Sequence, residues 1–115
     1  MTIDRRTLKR VALPIPIRIT IESDHIAGTT RDISKRGLCL ELPTPRLKTS
    51  PVDLLTERVT LYLENETIIG SIKWYTVEGS VYQIGISIDR KSTAAWKRIV
   101  EHYMREHLAD AVKPA

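Results

Sequence analysis

Apolar and polar residues alternate in several short stretches of this chain, and such alternation predicts β-strands that each bury one face. The clearest stretch is 13–22, where isoleucines at 15, 17, 19 and 21 alternate with proline or polar residues. Similar strands are predicted at 26–33, 38–42, 58–63, 67–77 and 81–88, with turn residues between most of them. Strands at such short intervals, several joined by hairpin turns, indicate an antiparallel barrel or sandwich.

Two features interrupt this pattern. Gly28 lies inside the second predicted strand, where an isolated glycine predicts a β-bulge. Pro43–Pro51 contains three prolines and several polar residues, which predicts one long loop between the third and fourth strands.

The spacing of apolar residues changes near the C-terminus. Over residues 92–108, Trp96, Ile99, Val100, Tyr103 and His107 recur at helical spacing. This predicts a helix that packs its apolar stripe on the barrel or covers one of its open ends. The chain is therefore expected to divide into an N-terminal arm (1–12), the strands (13–90) and the helix (91–110).

The 115 residues are enough for one domain with its own core. The chain has no apolar run of the length that a membrane span requires, and its N-terminus has no apolar signal segment. One cysteine excludes an internal disulfide. Together these features predict a cytoplasmic protein without a membrane span.

Positive charge is concentrated in two short segments, within a chain whose net charge is +4. Residues 1–10 carry a net charge of +3 and residues 31–37 a net charge of +2, which leaves about −1 for the remainder. A general nucleic-acid binder more often spreads positive charge over a face or a helix. Two focused clusters suit a small anion that carries phosphates better.

The second cluster falls in the connection between two predicted strands. Asp32 and Ser34 are residue types that hydrogen-bond nearby backbone and hold a turn, and Gly37 permits a positive φ or the close approach of a ligand. In the first cluster, Arg6 and Arg10 are four residues apart, so they share a face in a helix or in an extended arm. We therefore expect both segments to close on one anionic ligand.

Residues that often carry catalysis or bind metals form no such pattern here. Cys39 alternates with two leucines and has no histidine or aspartate beside it, so a buried or solvated thiol is expected rather than a nucleophile. The three histidines lack metal-ligand spacing, apart from a distant pair on the helix. We therefore predict that the protein is not an enzyme and holds no metal and no cofactor.

In its two basic segments the chain resembles the PilZ domain, the bacterial receptor family for the second messenger cyclic di-GMP (c-di-GMP). The family's arm motif RxxxR is similar to Arg6-Thr7-Leu8-Lys9-Arg10, and its turn motif (D/N)xSxxG to Asp32-Ile33-Ser34-Lys35-Arg36-Gly37. The likeness extends over about residues 5–105. It implies a mainly β fold, a six-stranded antiparallel β-barrel with a C-terminal α-helix and a flexible N-terminal arm.

The resemblance also implies that c-di-GMP binds on the outside of the barrel, between the arm and the turn. Arginine can pair with a guanine edge or a phosphate, and Asp32 can accept from guanine N1 and N2. In this family an arginine at the position of Arg5 is associated with an intercalated ligand dimer. The ligand-binding residues so implied are Arg5, Arg6, Arg10, Asp32, Ser34 and Gly37, with Lys9, Arg36 and Trp74 as further candidates.

The expected function is a receptor that transmits the messenger level to a protein partner controlling motility, exopolysaccharide or surface behaviour. Binding is expected to order the arm, at an entropic cost of about 1–2 kcal/mol per fixed residue, and so create a surface for that partner. Whether the protein is a monomer or a homodimer stays open. The alternatives are a PilZ-like interaction module without nucleotide and a basic barrel that binds nucleic acid with a steep salt dependence.

Overall fold

Six antiparallel strands close into a barrel in the computed structural model, which describes residues 10–43 and 51–112. The strands are β1 (Pro16–Ile21), β2 (Asp24–Ile33), β3 (Gly37–Pro43), β4 (Arg58–Leu63), β5 (Glu66–Glu78) and β6 (Val81–Ile88). Their order around the barrel is β1-β2-β3-β6-β5-β4, and β4 pairs with β1 to complete it. The predicted six-stranded antiparallel barrel is therefore confirmed.

The core fills the interior of the barrel with branched aliphatic side chains. Ile17, Ile19 and Ile21 of β1 point inward and are at most 2% exposed, as their alternation predicted. On β3 the inward side chains are Leu38, Leu40 and Leu42, which are completely buried. Each such side chain stabilises the fold by about 1.5–3 kcal/mol relative to leaving it in water.

Two β-bulges interrupt the barrel, one in β2 and one in β5. In β2 the register shifts between Thr30 and Asp32, and in β5 it shifts between Ile72 and Trp74. The bulge predicted at Gly28 is wrong, because that residue pairs regularly with Ile17. Gly28 instead leaves room for the Leu42 side chain, since a Cβ on Gly28 would lie 2.5 Å from it.

The connection from β3 to β4 contains a short helix, α1 (Pro51–Leu54), that the prolines did not predict. Leu54 at its end is completely buried and joins the core. Residues 44–50 of the predicted loop lie outside the described residues.

A 3₁₀ turn (Arg90–Ser92) leads into the C-terminal helix, α2 (Thr93–Val112), so a helix is found where the change in spacing predicted one. Asp89 begins this segment, and its side chain accepts a hydrogen bond from the Lys91 amide. Trp96 is completely buried, whereas His107, which the spacing assigned to the apolar stripe, is exposed. No helix among the described residues is long and apolar enough to cross a membrane.

Side-chain hydrogen bonds attach α2 to the barrel, among them one from Arg98 to the Glu66 carboxylate of β5 at 3.2 Å. The Trp96 indole N–H donates to the Ser34 carbonyl at 2.8 Å, which joins the helix to the connection between β2 and β3. Two turns further along α2, the Tyr103 hydroxyl donates to the Glu64 carboxylate at 2.5 Å. The helix is therefore held against two separate connections of the barrel.

Trp96→Phe is expected to lower the free energy of unfolding by about 1–3 kcal/mol, because the buried Ser34 carbonyl loses its indole donor. Trp74→Phe is the matched control, since Trp74 is 41% exposed. Urea unfolding measures both variants. Equal stability of Trp96→Phe and the control would contradict the role given to this hydrogen bond.

Tyr103 predicts a stability change at high pH. Partial burial and the hydrogen bond to Glu64 raise the pKa of Tyr103 from 10.0 to about 12. Because the folded pKa is the higher one, this contribution to stability is complete below pH 10 and is lost as the pH rises to 12. Between pH 10 and pH 12, the free energy of unfolding should fall more steeply for wild type than for Tyr103→Phe. Parallel profiles would show that Tyr103 makes no such contribution.

Candidate ligand-binding site

Four residues form a row across the outer face of the barrel. Asp32 of β2 lies opposite Cys39 of β3, Cys39 lies opposite Gly85 of β6, and Gly85 lies opposite Trp74 of β5. We call these four residues the cross-strand row. Both of its ends are residues that follow a β-bulge, so the row extends from one bulge to the other.

Each bulge turns two consecutive side chains outward. In β2, Thr30 is buried and the next two residues, Arg31 and Asp32, are exposed or half-buried. In β5, Ile72 is buried and the next two residues, Lys73 and Trp74, are exposed. The extra residue in each strand, Arg31 or Lys73, therefore adds a cation beside each end of the cross-strand row.

Trp74 lies over Gly85. A Cβ built on Gly85 would be 2.1 Å from Nε1 and 2.2 Å from Cε2 of the indole, so the ring occupies the space that any other residue would fill. The indole is nevertheless 41% exposed. A large aromatic side chain is thus held on the surface by a glycine across the strand, in a position where a planar ligand could stack on it.

Cys39 lies at the centre of the row and is only 3% exposed although it faces away from the core. Burial, followed by the charge of the nearby Asp32 carboxylate, raises the pKa of the Cys39 thiol. The thiol therefore stays protonated at neutral pH. Of the two environments that the sequence left open, a buried or a solvated thiol, the structure shows the buried one.

The chain that precedes β1 is attached to the same end of β2. Val11 and Ile33 form an isolated antiparallel bridge, with both of their N–H···O hydrogen bonds at 2.9 Å. The neighbouring Arg10 donates through Nη1 to Asp32 Oδ1 at 2.5 Å. The predicted meeting of the RxxxR motif and the turn motif is therefore observed for Arg10, whereas Arg5, Arg6 and Lys9 lie outside the described residues.

The turn from Ser34 to Gly37 is held by its own hydrogen bonds. The Ser34 amide donates to the Gly37 carbonyl at 2.8 Å, and the Ser34 hydroxyl donates to the same carbonyl at 3.3 Å. The Arg36 amide in turn donates to the Ser34 hydroxyl at 3.4 Å. Ser34 is 4% exposed, so its main observed contacts are structural ones within the turn.

Gly37 is required by close packing of the backbone. A Cβ at this position would lie 2.3 Å from the Ile86 carbonyl oxygen of the neighbouring strand. Gly37 pairs with Ser87, and the Arg36 carbonyl accepts from the Ile88 amide at 2.9 Å. The last residue of the turn motif thus lets β3 begin directly against β6.

A cavity of about 230 Å³ opens between the turn and the Trp74 side of the row. Its lining consists of Arg10, Ser34, Arg36, Gly37, Lys73, Trp74, Gly85, Ile86 and Ser87. Three of these side chains are cations, and Arg10 is paired with Asp32. Within the described part of the chain, Arg36 and Lys73 have no carboxylate within ion-pair distance. Among the described residues, the positive charge of the cavity is therefore only partly compensated.

A polar cluster borders the site on the side away from the turn. Arg31 lies 3.9 Å from Glu41 and 3.8 Å from Glu78, and the Gln83 amide donates to Glu78 at 2.7 Å. Arg31 is therefore compensated by two carboxylates, whereas Arg36 and Lys73 have no such partner among the residues that the structure describes. Among the described residues no group of three or more His, Cys, Asp or Glu is arranged to hold a metal ion.

Six residues that the sequence singled out come together at this cavity or beside it. They are Arg10, Asp32, Ser34, Gly37, and the further candidates Arg36 and Trp74. Sequence reasoning missed Lys73, Gly85, Ile86 and Ser87, which complete the lining. The sequence signal for Lys73 was a break in the alternation of β5, because the inward residues are even-numbered up to Ile72 and the next one is Tyr75.

A comparison of the sequence with models of protein families identifies one matching family. Residues 4–105 match the PilZ domain. A search of curated proteins gave no significant match.

Several solved structures have the same fold. The MrkH–c-di-GMP complex from K. pneumonia has a TM-score of 0.71 and 20% identity, over 97% of this chain and 57% of that chain. MotI/DgrA, a Bacillus subtilis inhibitor of motility, has a TM-score of 0.65 and 16% identity, over 92% and 53%. The PilZ domain of Escherichia coli YcgR with c-di-GMP has a TM-score of 0.65 and 12% identity, over 96% and 100%.

These likenesses show the fold alone at such identities, and the chain spans little more than half the length of MrkH and MotI. The family match, in contrast, covers most of the sequence and includes both motifs. The chain belongs to the PilZ domain family.

Proposed function

We propose that this protein is a receptor for c-di-GMP, which binds in the cavity beside the cross-strand row. The observation that carries the proposal is the pairing of Arg10 with Asp32 at the edge of this cavity, since it joins the arm motif to the turn motif. Family membership supports the same ligand, because similar structures from K. pneumonia and Escherichia coli are complexes with c-di-GMP.

The charge of the cavity fits a ligand with two phosphates. Arg36 and Lys73 are unpaired among the described residues, so the cavity offers two cations beyond the compensated Arg10. The two phosphodiesters of c-di-GMP carry two negative charges. Charge-assisted hydrogen bonds to phosphate are roughly twice as strong as neutral ones, so this complementarity contributes to affinity.

The remaining surfaces of the cavity fit guanine. The exposed indole of Trp74 offers a flat face, and stacking of a base on an aromatic side chain contributes about 1–3 kcal/mol. Asp32 offers a carboxylate to guanine N1 and N2, and Arg10 offers a planar fork to a guanine edge or a phosphate. Ser34 acts mainly by holding the turn in shape.

Arg5, Arg6 and Lys9 complete the proposed site from the arm. We propose that the arm closes over the bound nucleotide, with Arg6, the first arginine of the RxxxR motif, acting together with Arg10 and with Arg5 favouring a second ligand molecule. The chain would then signal through the surface formed by the ordered arm. Its protein partner, its control of motility or exopolysaccharide, its cytoplasmic location and its monomeric or dimeric state remain predictions from the sequence.

Isothermal titration calorimetry with c-di-GMP tests the proposal, because it gives both the affinity and the number of ligands bound. Micromolar or tighter binding is expected, with one ligand or an intercalated pair per chain and no turnover of the ligand. Cyclic GMP is the control, since it has one base and one phosphate. Absence of binding at micromolar c-di-GMP would reject the receptor function, and a steep salt dependence with DNA would favour a nucleic-acid binder.

A further inference from the structure

Lys73 is the extra residue of the bulge in β5. Ile72 pairs with Ile86 and Trp74 pairs with Gly85, so Lys73 has no partner of its own on β6. Its side chain is exposed and lines the cavity, yet no carboxylate of the described chain lies within ion-pair distance of it. The bulge thus presents, beside Trp74, a cation that no described carboxylate compensates.

The barrel does not need this residue for its packing. Ile72 points inward, Trp74 points outward and Tyr75 packs against the core, so these three residues alternate correctly if Lys73 is left out. An inserted residue that serves neither the core nor the pairing of β5 with β6 calls for another role, and bulges commonly re-aim side chains at functional sites.

We infer that Lys73 is an affinity-determining residue that binds one phosphate of the ligand while Trp74 stacks on the adjoining base. This inference rests on the proposed function. Lys73 lies immediately before Trp74 on the same outer face, so a nucleotide stacked on the indole would have its phosphate within reach of a lysine ammonium. Arg36, on the turn at the other side of the cavity, would serve the second phosphate.

Lys73→Gln is expected to weaken c-di-GMP binding by about tenfold or more, since a hydrogen bond from a charged donor to a phosphate is lost. Lys73→Arg keeps the charge and is expected to bind within about threefold of wild type. Lys91→Gln is the matched control, because Lys91 is also an exposed lysine but does not line the cavity. The same calorimetric titration measures all four proteins.

Two further readouts separate phosphate binding from a structural role. The ³¹P resonances of bound c-di-GMP are expected to shift in Lys73→Gln and to stay unchanged in Lys91→Gln. Deletion of Lys73 removes the bulge and leaves Ile72, Trp74 and Tyr75 in regular inward and outward alternation. The deletion variant is therefore expected to fold with Trp74 outward and to bind c-di-GMP as weakly as Lys73→Gln.

The outcomes distinguish this inference from the receptor function itself. If wild type does not bind c-di-GMP, the proposed function fails. If wild type binds and Lys73→Gln binds within about twofold of it, with unchanged ³¹P resonances, the role of Lys73 is overturned while the receptor function stands. A loss that Lys73→Arg does not restore would also overturn it, because the charge would then not be the property that matters.

Discussion

Arg10→Ala is expected to abolish measurable binding of c-di-GMP and to lower the melting temperature by no more than about 5 °C. Binding is lost because Arg10 is the observed link between the arm motif and the turn, through its hydrogen bond to Asp32. Stability changes little because the Arg10 side chain is 47% exposed, and such surface ion pairs contribute about 0–1 kcal/mol.

Arg18→Ala is the matched control for this prediction. Arg18 is an exposed arginine on β1, outside the strands of the cross-strand row, and does not line the cavity. Calorimetry and thermal unfolding on both variants make the comparison. Binding by Arg10→Ala at wild-type affinity would contradict the assignment of the site, and a large loss of stability would mean that the ion pair is structural.

Gly85→Ala is expected to weaken c-di-GMP binding by about tenfold or more, although the substitution adds a single methyl group. The new Cβ would lie 2.1 Å from the Trp74 indole, so the ring must leave its place on the row. The stacking surface is lost with it, at a cost of about 1–3 kcal/mol of binding free energy. Folding should be affected less, because an exposed indole can move into solvent.

A double-mutant cycle tests whether this effect passes through Trp74. The Gly85→Ala, Trp74→Ala double variant should bind no more weakly than Trp74→Ala alone, since the displaced ring is already absent. Additive losses in the double variant would contradict this mechanism.

Gly37→Ala provides the contrast to Gly85→Ala. Its Cβ would meet the Ile86 backbone carbonyl at 2.3 Å rather than a surface side chain, so the pairing of β3 with β6 must shift. Overpacking of this kind costs about 1–3 kcal/mol. This variant should therefore lose stability as well as binding, and urea unfolding distinguishes the two glycines.

The strands and the helix could be predicted from the sequence because their apolar residues keep one period over many positions. The isoleucines of β1 and the leucines of β3 all point inward as their alternation requires. The turn motif could be recognised for a similar reason, since Asp32, Ser34 and Gly37 are close in sequence and act within one turn. Arg10 was predicted from its spacing to Arg6 in the basic cluster and from the family motif, and the bridge between Val11 and Ile33 explains its place.

The rest of the site depends on contacts between strands that are distant in sequence. Strict alternation from Ile26 would turn Asp32 inward, and strict alternation from Ile68 would do the same to Trp74. The two bulges turn both side chains outward instead. The sequence signal for each bulge was a shift of the apolar residues from even-numbered to odd-numbered positions. Gly85 had no local signal, because its role is to leave room for a side chain on the neighbouring strand.

Heteronuclear NMR titration with c-di-GMP tests the central claim most directly. The protein has two tryptophans, so it gives two indole N–H resonances, and the exposed Trp74 can be told from Trp96 by substitution. We expect the Trp74 indole to shift strongly, together with the amides of residues 32–37 and of Gly85. Shifts confined to β1 and β4, with the Trp74 indole and the turn unchanged, would contradict the proposed site.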